Sequence, residues 1–377
     1  MSRRIGLTIV AVAIAVVMTF AQSSDMLVYI GTYTGPKSKG IYAFRFNQAS
    51  GALTSIGLAA ETPSPSWLTA SPSGQFLFAA NETNNVDADK SGGVSAFRID
   101  RATGGLTALN SQSSRGAHPC HLAVDRAGTH LLVANYTGGN LAVLPIGADG
   151  RLGPASQVVQ HKGSSVNADR QKEPHAHSID FDPAGRFAVS ADLGADRIFV
   201  YRYDPKGGRL SAGLHPAVAA DPGAGPRHVA FLPDGAFAFA INELASTITS
   251  YTWDAGRGAL KTLSTVSTLP APHRGNSTAE IRVHPSGRFV YGSNRGHDSI
   301  AVYRVSPTGS LSLVEYEPTR GKTPRNFTID PSGQWIVAAN QASDSLSVFR
   351  IHQKTGALTP SGPLASVGAP VSVAFVP

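Results

Sequence analysis

The sequence predicts an all-β fold: a seven-bladed β-propeller with four antiparallel strands per blade, its ring closed by pairing N- and C-terminal strands in one blade. Three observations carry this prediction: the composition, a repeat of about 50 residues, and a C-terminal segment that matches the start of that repeat. Of the 377 residues, 39 are Gly and 25 are Pro, while 42% are apolar and 15% charged. A helical bundle tolerates fewer turn-formers, and a disordered chain has fewer apolar residues.

The repeat consists of an apolar strand, a tight turn ending in Gly, a second apolar strand, and then Asn or Asp. A third strand follows, as at 199–203, and a Gly-x-Leu motif opens a fourth, as at 258–260. Short apolar runs separated by turn residues are typical of strands joined by hairpins, and four of them in about 50 residues make one propeller blade. The turn glycines are Gly74, Gly128, Gly185, Gly235, Gly287 and Gly333. The polar residues seven positions later are Asn81, Asn135, Asp192, Asn242, Asn294 and Asn340.

A seventh blade is predicted to contain both ends of the chain. Residues 370–377 align with 226–233, which open one of the repeats, so the C-terminus supplies an innermost strand. Residues 26–33 align with a second strand, and 40–46 and 51–55 with the third and fourth. Pairing these segments removes the edge strands that an open row of blades would expose. Residues 25–377 are therefore expected to form one propeller domain.

Residues 1–24 are predicted to be an export signal. Arg3 and Arg4 precede an apolar stretch at 5–20 and a small-residue stretch at 21–24, the order typical of such signals. An uncleaved anchor is the alternative, because the apolar stretch approaches the length of a membrane span. Cleavage would leave an exported, periplasmic or secreted protein with no stable membrane contact.

The net charge and the cysteine content limit the classes of ligand, cross-link and metal site that the protein can have. The net charge of +7 comes with no long run of Lys or Arg, which disfavours nucleic acid and favours a small anionic ligand. The single Cys excludes an intramolecular disulfide and a cysteine-based zinc site. No acidic cluster suited to a calcium ion is visible, so neither a metal nor another cofactor is expected.

Strand direction predicts where functional side chains meet. The start of the first strand and the end of the second lie at the same end of the ring, because the two strands are antiparallel. One position in each first strand shares a common register: Ser66, Cys120, His177, Arg227, Ala279, Arg325 and Val371. The residues that follow the second strands are Glu82, Tyr136, Leu193, Glu243, Arg295 and Gln341. His177, Arg227, Glu243, Arg295 and Arg325 should therefore converge on one mouth of the channel, where their charges call for a ligand.

Other polar residues receive lesser or structural roles. A nucleophilic role for Cys120 is disfavoured because no base partner is evident. The Asn or Asp after each second strand is expected to be structural, bonding its own backbone. Arg282, of opposite parity to Arg227, is predicted to pack between blades or at the rim. The further substrate contacts predicted beside Arg325 are His121, His175, His228 and Gln341.

Several motifs together resemble one known family. They are Pro-Arg-His at 226–228 with Asn-Glu at 242–243, His-Ala-His at 175–177, Asn-Arg-Gly at 294–296 and Pro-Arg-Asn at 324–326. The chain is similar to the seven-bladed lactonase family, which includes propeller-type 6-phosphogluconolactonase and fungal carboxymuconate lactonizing enzymes. The resemblance spans residues 26–377. It implies a channel mouth lined by His177, Arg227, Glu243 and Arg295, with Arg325 as a further basic position.

The resemblance implies lactone hydrolysis, most simply the opening of a sugar lactone by a 6-phosphogluconolactonase-like enzyme. His177 or Glu243 could activate water, and Arg227 or Arg295 could stabilise the oxyanion. Remaining arginines would hold a phosphate or carboxylate of the substrate. A carboxymuconate-type lactonizing isomerase and a non-catalytic binding propeller are the alternatives. An export signal fits poorly with a phosphorylated substrate made in the cytoplasm.

Overall fold

The computed structural model describes residues 25–376; the predicted export signal at 1–24 and Pro377 lie outside the described residues. Over the described residues, 28 strands form seven four-stranded sheets in which every pairing is antiparallel. The predicted seven-bladed propeller is therefore confirmed. Within residues 25–376, no helix has the length and apolar character needed to cross a membrane.

The first half of the chain builds blades 1 to 3 and begins blade 4. Its strands are β1 (Asp25–Thr32), β2 (Gly40–Asn47), β3 (Leu53–Glu61), β4 (Pro65–Ala70), β5 (Phe76–Asn81), β6 (Gly93–Ile99), β7 (Leu106–Ser113), β8 (Pro119–Val124), β9 (His130–Asn135), β10 (Asn140–Pro145), β11 (Gln157–Gln160), β12 (Asp180–Phe181) and β13 (Phe187–Asp192). Blade 2 is β4–β7 and blade 3 is β8–β11, each running from the channel outward.

The second half completes blade 4 and builds blades 5 to 7. Its strands are β14 (Arg197–Asp204), β15 (Arg209–Ala219), β16 (Pro226–Phe231), β17 (Phe237–Asn242), β18 (Thr247–Asp254), β19 (Ala259–Ser267), β20 (Ser277–Val283), β21 (Phe289–Arg295), β22 (Ser299–Val305), β23 (Leu311–Pro318), β24 (Pro324–Ile329), β25 (Trp335–Asn340), β26 (Ser345–Ile351), β27 (Leu358–Ser366) and β28 (Pro370–Phe375). A short 3-10 turn, Gln341–Ser343, precedes β26. Blades 4 to 7 are β12–β15, β16–β19, β20–β23 and β24–β27.

The ring closes in blade 1, whose strand order is β28-β1-β2-β3. Val28 pairs with Phe375, and Ile30 pairs with Val373. The C-terminal strand thus lies innermost beside the N-terminal strand, as the sequence alignment predicts. The pairing removes the free edge that β1 would otherwise present.

The core is divided among the interfaces between neighbouring blades. The described residues form seven apolar clusters, one for each pair of adjacent blades, including the pair of blades 1 and 7. In the cluster between blades 1 and 7, Val28 and Ile30 of β1 meet Trp335 and Val337 of β25. Each blade therefore packs against two others around the ring.

The repeated turn glycines and the Asn residues that end the second strands have different structural roles. The six turn glycines all adopt positive φ, between 62° and 73°, a backbone conformation that glycine adopts without strain. The Asn residues are structural as predicted, but they do not bond their own backbone. Instead, Asn135 Nδ2 donates to Ser114 O, and Asn294 Nδ2 donates to Thr268 O. These two amides tie their strands to the segment that leads into the blade, whereas Asn242 Nδ2 donates to Thr247 Oγ1 and Thr249 Oγ1 of β18.

Blade 4 departs from the regular pattern because Asp192 replaces the Asn. A carboxylate cannot donate, so Asp192 instead accepts hydrogen bonds from the backbone N–H groups of His175 and Ala195, both at 2.8 Å. Its other oxygen lies 2.7 Å from His161 Nδ1. The chain before β12 is thereby held in an irregular path, and the innermost strand shortens to two residues.

Candidate active site

Six innermost strands carry a register shift where the sequence places the channel mouth, and in blade 4 the same shift falls between the Ala176–Asp192 bridge and β12. In blade 5, Pro226 pairs with Asn242 and His228 pairs with Ile241, so Arg227 is the additional residue of a β-bulge. A bulge leaves its extra residue out of the ladder and re-aims the side chain. Equivalent shifts mark one residue per blade, which we call the mouth layer: Ser66, Cys120, His177, Arg227, Ala279, Arg325 and Val371.

Glu243 is the centre of the mouth. It follows β17, and its Oε2 lies 3.0 Å from both Arg227 Nε and Arg295 Nη2. Its Oε1 accepts a hydrogen bond of 2.9 Å from Arg170 Nη2. Burial by itself raises the pKa of Glu243, but Arg295 and Arg227 more than offset burial and hold that pKa well below its usual range. Glu243 is therefore an ionised carboxylate bound by three guanidinium groups.

His177 lies beside this cluster as a neutral imidazole. Burial lowers its pKa well below 6.5, and the charge of Arg227 lowers it further. Its Nε2 lies 3.7 Å from Glu243 Oε2, which is longer than an ordinary hydrogen bond. Nε2 therefore makes no hydrogen bond to Glu243.

Cys120 contacts the other side of the same ring. Its Sγ lies 3.6 Å from His177 Nδ1 and donates to His177 O at 3.4 Å. The expectation that Cys120 lacks a base partner is therefore wrong. Burial nevertheless raises the pKa of the thiol, so the group remains protonated and packs against His177 as a weak donor.

A second charged group occupies the opposite side of the mouth. Tyr33 Oη donates to Glu82 Oε2 at 2.8 Å, and Arg325 Cζ lies 5.3 Å from the centre of the Tyr33 ring. Arg325 Nη2 lies 4.0 Å from Glu82 Oε2, and its guanidinium makes no hydrogen bond to any described residue. Arg325 is thus the mouth arginine with the most unused donors.

Two further polar atoms at the mouth lack partners. Arg295 Nε and Ser66 Oγ are both buried and have no hydrogen-bond partner among residues 25–376. Buried polar groups in proteins are almost always satisfied by protein, water or ligand. These orphaned donors therefore favour a polar molecule bound at the mouth.

The charge at the mouth is strongly unbalanced. Four guanidinium groups (Arg170, Arg227, Arg295 and Arg325) face two carboxylates (Glu82 and Glu243). With His177 neutral, two positive charges are left uncompensated. A ligand with a developing or permanent negative charge would complete the site.

The structure brings His177, Arg227, Glu243, Arg295 and Arg325 together as predicted, and it places the remaining predicted contacts in three different settings. His175 stacks on Tyr136, with ring centroids 4.5 Å apart, at the edge of the mouth. Gln341 begins the 3-10 turn after β25, where its backbone N–H donates to Thr323 O. His121 and His228 do not reach the mouth, because they belong to a deeper layer.

That deeper layer consists of the residue that follows each mouth-layer residue, and we call it the floor. Its members fill the channel and are at most 8% exposed: Trp67, His121, Ser178, His228, Glu280, Asn326 and Ser372. The Trp67 and His121 rings are 3.9 Å apart, and the His121 and His228 rings are 5.1 Å apart. His228 has both ring nitrogens within hydrogen-bond distance of protein atoms, Arg227 Nη1 and Glu280 Oε1.

Below the floor, the channel holds two cavities of about 300 and 420 Å³, both lined by Asp180, Phe181 and Arg282. Arg282 was expected to pack between blades or at the rim, and its Nε does donate to Phe327 O of the adjacent blade 7 at 3.4 Å, but the side chain also reaches into the channel. Its guanidinium crosses the channel from blade 6 to lie 5.5 Å from the centre of the Trp67 ring in blade 2. Alternation along a strand identifies opposite faces, but it does not reveal that a long side chain can span a narrow channel.

Sequence reasoning missed several functional candidates. Arg170 lies in the long connection between β11 and β12, outside the repeat, so no register could place it beside Glu243. Glu280 lies next to Ala279 of the mouth layer. Its position in the channel depends on the β-bulge in β20, which the sequence did not reveal. Tyr33 and Glu82 did fall at predicted strand ends, but their pairing with Arg325 required the ring geometry.

The described residues contain no group of three or more His, Cys, Asp or Glu side chains arranged to hold a metal ion.

Comparison with known proteins assigns the fold to a family. The family described as "Lactonase, 7-bladed beta-propeller" matches residues 27–375, which include every residue of the mouth and the floor.

The chain belongs to this lactonase family.

Relatives of the lactonase family carry related names. A 6-phosphogluconolactonase of Bacillus subtilis is 37% identical over 290 residues, covering 76% of this chain and 80% of that protein. A 6-phosphogluconolactonase of Formosa agariphila is 32% identical over 296 residues, covering 77% of this chain and 82% of that protein. The structure of a periplasmic gluconolactonase of Pseudomonas aeruginosa superposes with a TM-score of 0.87 at 35% identity, covering 94% of this chain and 99% of that chain.

Proposed function

We propose that this lactonase-family protein is a carboxylic ester hydrolase that opens a sugar lactone to its aldonic acid. The observation that carries the proposal is the mouth itself, where a neutral imidazole lies beside guanidinium groups with unused donors. Lactone opening needs both elements: a base for the attacking water and donors for the oxyanion that forms at the carbonyl. The names of the relatives support the same reaction class.

In the proposed reaction, one residue accepts the proton of the attacking water and other residues stabilise the negative charge on the carbonyl oxygen. Water approaches Nε2 of His177 and attacks the lactone carbonyl carbon while His177 takes one of its protons. The carbonyl oxygen becomes an oxyanion, and Arg227 and Arg295 hold it through N–H donors. Collapse of the tetrahedral intermediate breaks the bond to the ring oxygen, which receives the proton from His177. The product is a hydroxy acid that ionises at neutral pH.

Glu243 is better suited to organising the arginines than to acting as the base. Its carboxylate binds three guanidinium groups, and its low pKa makes it a weak proton acceptor. His177 forms no comparably short contact through Nε2. We therefore propose His177 as the general base and Glu243 as the residue that positions Arg227 and Arg295.

Arg325 is proposed to hold an anionic group of the substrate. Its guanidinium has no hydrogen-bond acceptor among the described residues, and a planar guanidinium matches a phosphate in a bidentate contact. This favours a phosphorylated sugar lactone. Gln341 and His175 stand as further proposed contacts at the edge of the mouth. The proposed steps use only water and protein groups.

A lactone assay tests the proposal. We expect residues 25–377 to hydrolyse 6-phosphogluconolactone faster than its spontaneous rate, and Arg325→Ala to raise KM for it about 10- to 100-fold, since hydrogen bonds to charged groups contribute roughly 1.5–3 kcal/mol. KM for unphosphorylated gluconolactone should change little. The exposed Arg209→Ala serves as the matched control. Equal losses on both lactones would place the phosphate elsewhere, and no acceleration of either would favour another lactone or a binding propeller.

We also propose that the protein is exported and works as a single propeller domain of residues 25–377. The order of charged, apolar and small residues at 1–24 supports export. A periplasmic relative of the same fold is consistent with it. Expression of the full chain should yield a soluble extracytoplasmic protein whose N-terminus lies near residue 25. Recovery of the intact chain in the membrane fraction would instead indicate an uncleaved anchor.

A further inference from the structure

Glu280 is a buried carboxylate of the floor that contacts several polar groups. Glu280 is 1% exposed and lies on β20, one residue after the mouth layer. Its Oε1 lies 3.2 Å from His228 Nδ1 and accepts from the backbone N–H of Ile281 at 3.0 Å. Its Oε2 accepts from Asn326 Nδ2 at 2.5 Å. Arg282 Nε lies 3.4 Å from Oε1 and supplies a positive charge nearby.

The contacts of His228 determine which of its nitrogens carries the proton. Arg227 Nη1 lies 3.1 Å from His228 Nε2, and a guanidinium nitrogen can only donate. Nε2 must therefore be the acceptor. In a neutral imidazole the proton is then on Nδ1, which donates to Glu280 Oε1. Burial and the charge of Arg227 lower the pKa of His228 well below 6.5, consistent with the neutral form.

This arrangement orients the guanidinium group of Arg227. Its Nε donates to Glu243 at 3.0 Å, and its Nη1 donates to His228 Nε2 and to Ala279 O at 2.6 Å. Nη2 is then the guanidinium nitrogen that makes no hydrogen bond to another described residue. The plane of the group is defined from two sides, and Nη2 is left for the substrate.

We propose that Glu280 is a positioning residue for lactone opening, acting through His228 to hold Arg227 with Nη2 directed at the developing oxyanion. The inference rests on the proposed function and adds a residue that does not touch the substrate. Outer-shell partners of this kind change function by orienting a group in contact with the reacting atoms. Glu280 would thus act from below the mouth.

The kinetic test is a double-mutant cycle of Glu280→Gln and His228→Phe. We expect Glu280→Gln to lower kcat about 10- to 100-fold with little change in KM, comparable with outer-shell partners in metal enzymes. In the His228→Phe background, the same substitution should have little further effect on kcat, because the path to Arg227 is already broken. The exposed Glu61→Gln serves as a control for loss of a carboxylate. Equal kcat losses in both backgrounds would overturn the proposal.

A second measurement does not depend on activity. Nitrogen-15 NMR of the histidine rings in the wild-type protein should show His228 protonated on Nδ1 and unprotonated on Nε2, a pattern that Glu280→Gln should weaken. A His228 ring protonated on Nε2 would overturn the proposal even if the lactone assay succeeds. Conversely, the expected NMR pattern without lactone hydrolysis by the wild type would refute the proposed function and leave the Arg227 geometry intact. Unfolding temperatures of all variants identify any loss that comes from stability.

Discussion

Replacing His177 with alanine is expected to lower kcat for lactone hydrolysis by about 10²- to 10⁴-fold, the usual contribution of a general base. The ring is neutral and its Nε2 lies 3.7 Å from Glu243 Oε2, whereas the other neutral imidazole beside Arg227, His228, has both ring nitrogens within hydrogen-bond distance of protein atoms. KM should change little, because the arginines that hold the substrate remain. Steady-state kinetics on the lactone that the wild type hydrolyses best would measure both constants.

The control for this variant is His215→Ala, which removes an exposed histidine from the outer strand β15. A loss confined to KM in His177→Ala would mean that His177 binds the substrate without transferring a proton. Retention of full activity would exclude His177 as the base and return Glu243 to consideration. Binding of inorganic phosphate by the inactive variant would separate loss of catalysis from loss of the site.

The pH dependence of the wild type follows from the same residue. A general base works in its unprotonated form, and burial together with Arg227 lowers the pKa of His177. Wild-type kcat/KM, after subtraction of spontaneous hydrolysis, should therefore stay level from about pH 8 to 6.5 and fall only well below 6.5. An acid limb centred near 6.5 would show that the working base is an exposed, unperturbed histidine.

Deleting residues 370–377 is expected to unfold the whole propeller rather than shorten it. The described part of this segment buries Val373, Ala374 and Val376 between blades 1, 2 and 7, and Val371 is buried at the mouth. At roughly 1.5–3 kcal/mol for a buried aliphatic side chain, their loss approaches the 5–15 kcal/mol that stabilises a typical domain. The exposed edge of β1 would also favour aggregation. Circular dichroism and thermal unfolding of residues 25–369 would measure the effect.

A circular permutant provides the matched control for the deletion. The C-terminal end of β28 lies beside the start of β1, since Val28 pairs with Phe375. A short linker can therefore join residue 377 to Asp25, with new ends between Lys206 and Gly207 in an exposed hairpin turn. The permutant should fold and keep its activity because every strand is present. A cooperatively folded 25–369 protein would contradict the predicted role of ring closure.

The sequence was sufficient to predict the blades and five of the residues that meet at the mouth. A repeat with constant offsets places equivalent positions at equivalent heights in the ring, so His177, Arg227 and Arg325 could be aligned without coordinates. The structural reason why these positions share one orientation was predicted only in part, however. Strand alternation suggested a shared orientation, whereas the structure shows a bulge at the shared position in blades 2, 3, 5 and 7.

Several side-chain contacts at the channel were not predicted from the sequence. They involve residues outside the repeat, or they span distances across the channel. Arg170 reaches Glu243 from an irregular connection that has no counterpart in other blades. Arg282 reaches Trp67 across the channel axis, and Glu280 reaches Asn326 between adjacent blades. Such contacts depend on channel width and on side-chain rotamers, neither of which leaves a periodic trace in one sequence.

The floor also affects how molecules travel through the site. Because Trp67, His121 and His228 fill the channel at that level, substrate must enter and product must leave by the same opening. Ring opening turns a lactone into a carboxylate, so the product departs with one more negative charge than the substrate brought. It must leave past the same arginines that attract the next substrate. In a dead-end pocket of this charge, the rate of product escape and the strength of product inhibition are set by the groups that recognise the substrate.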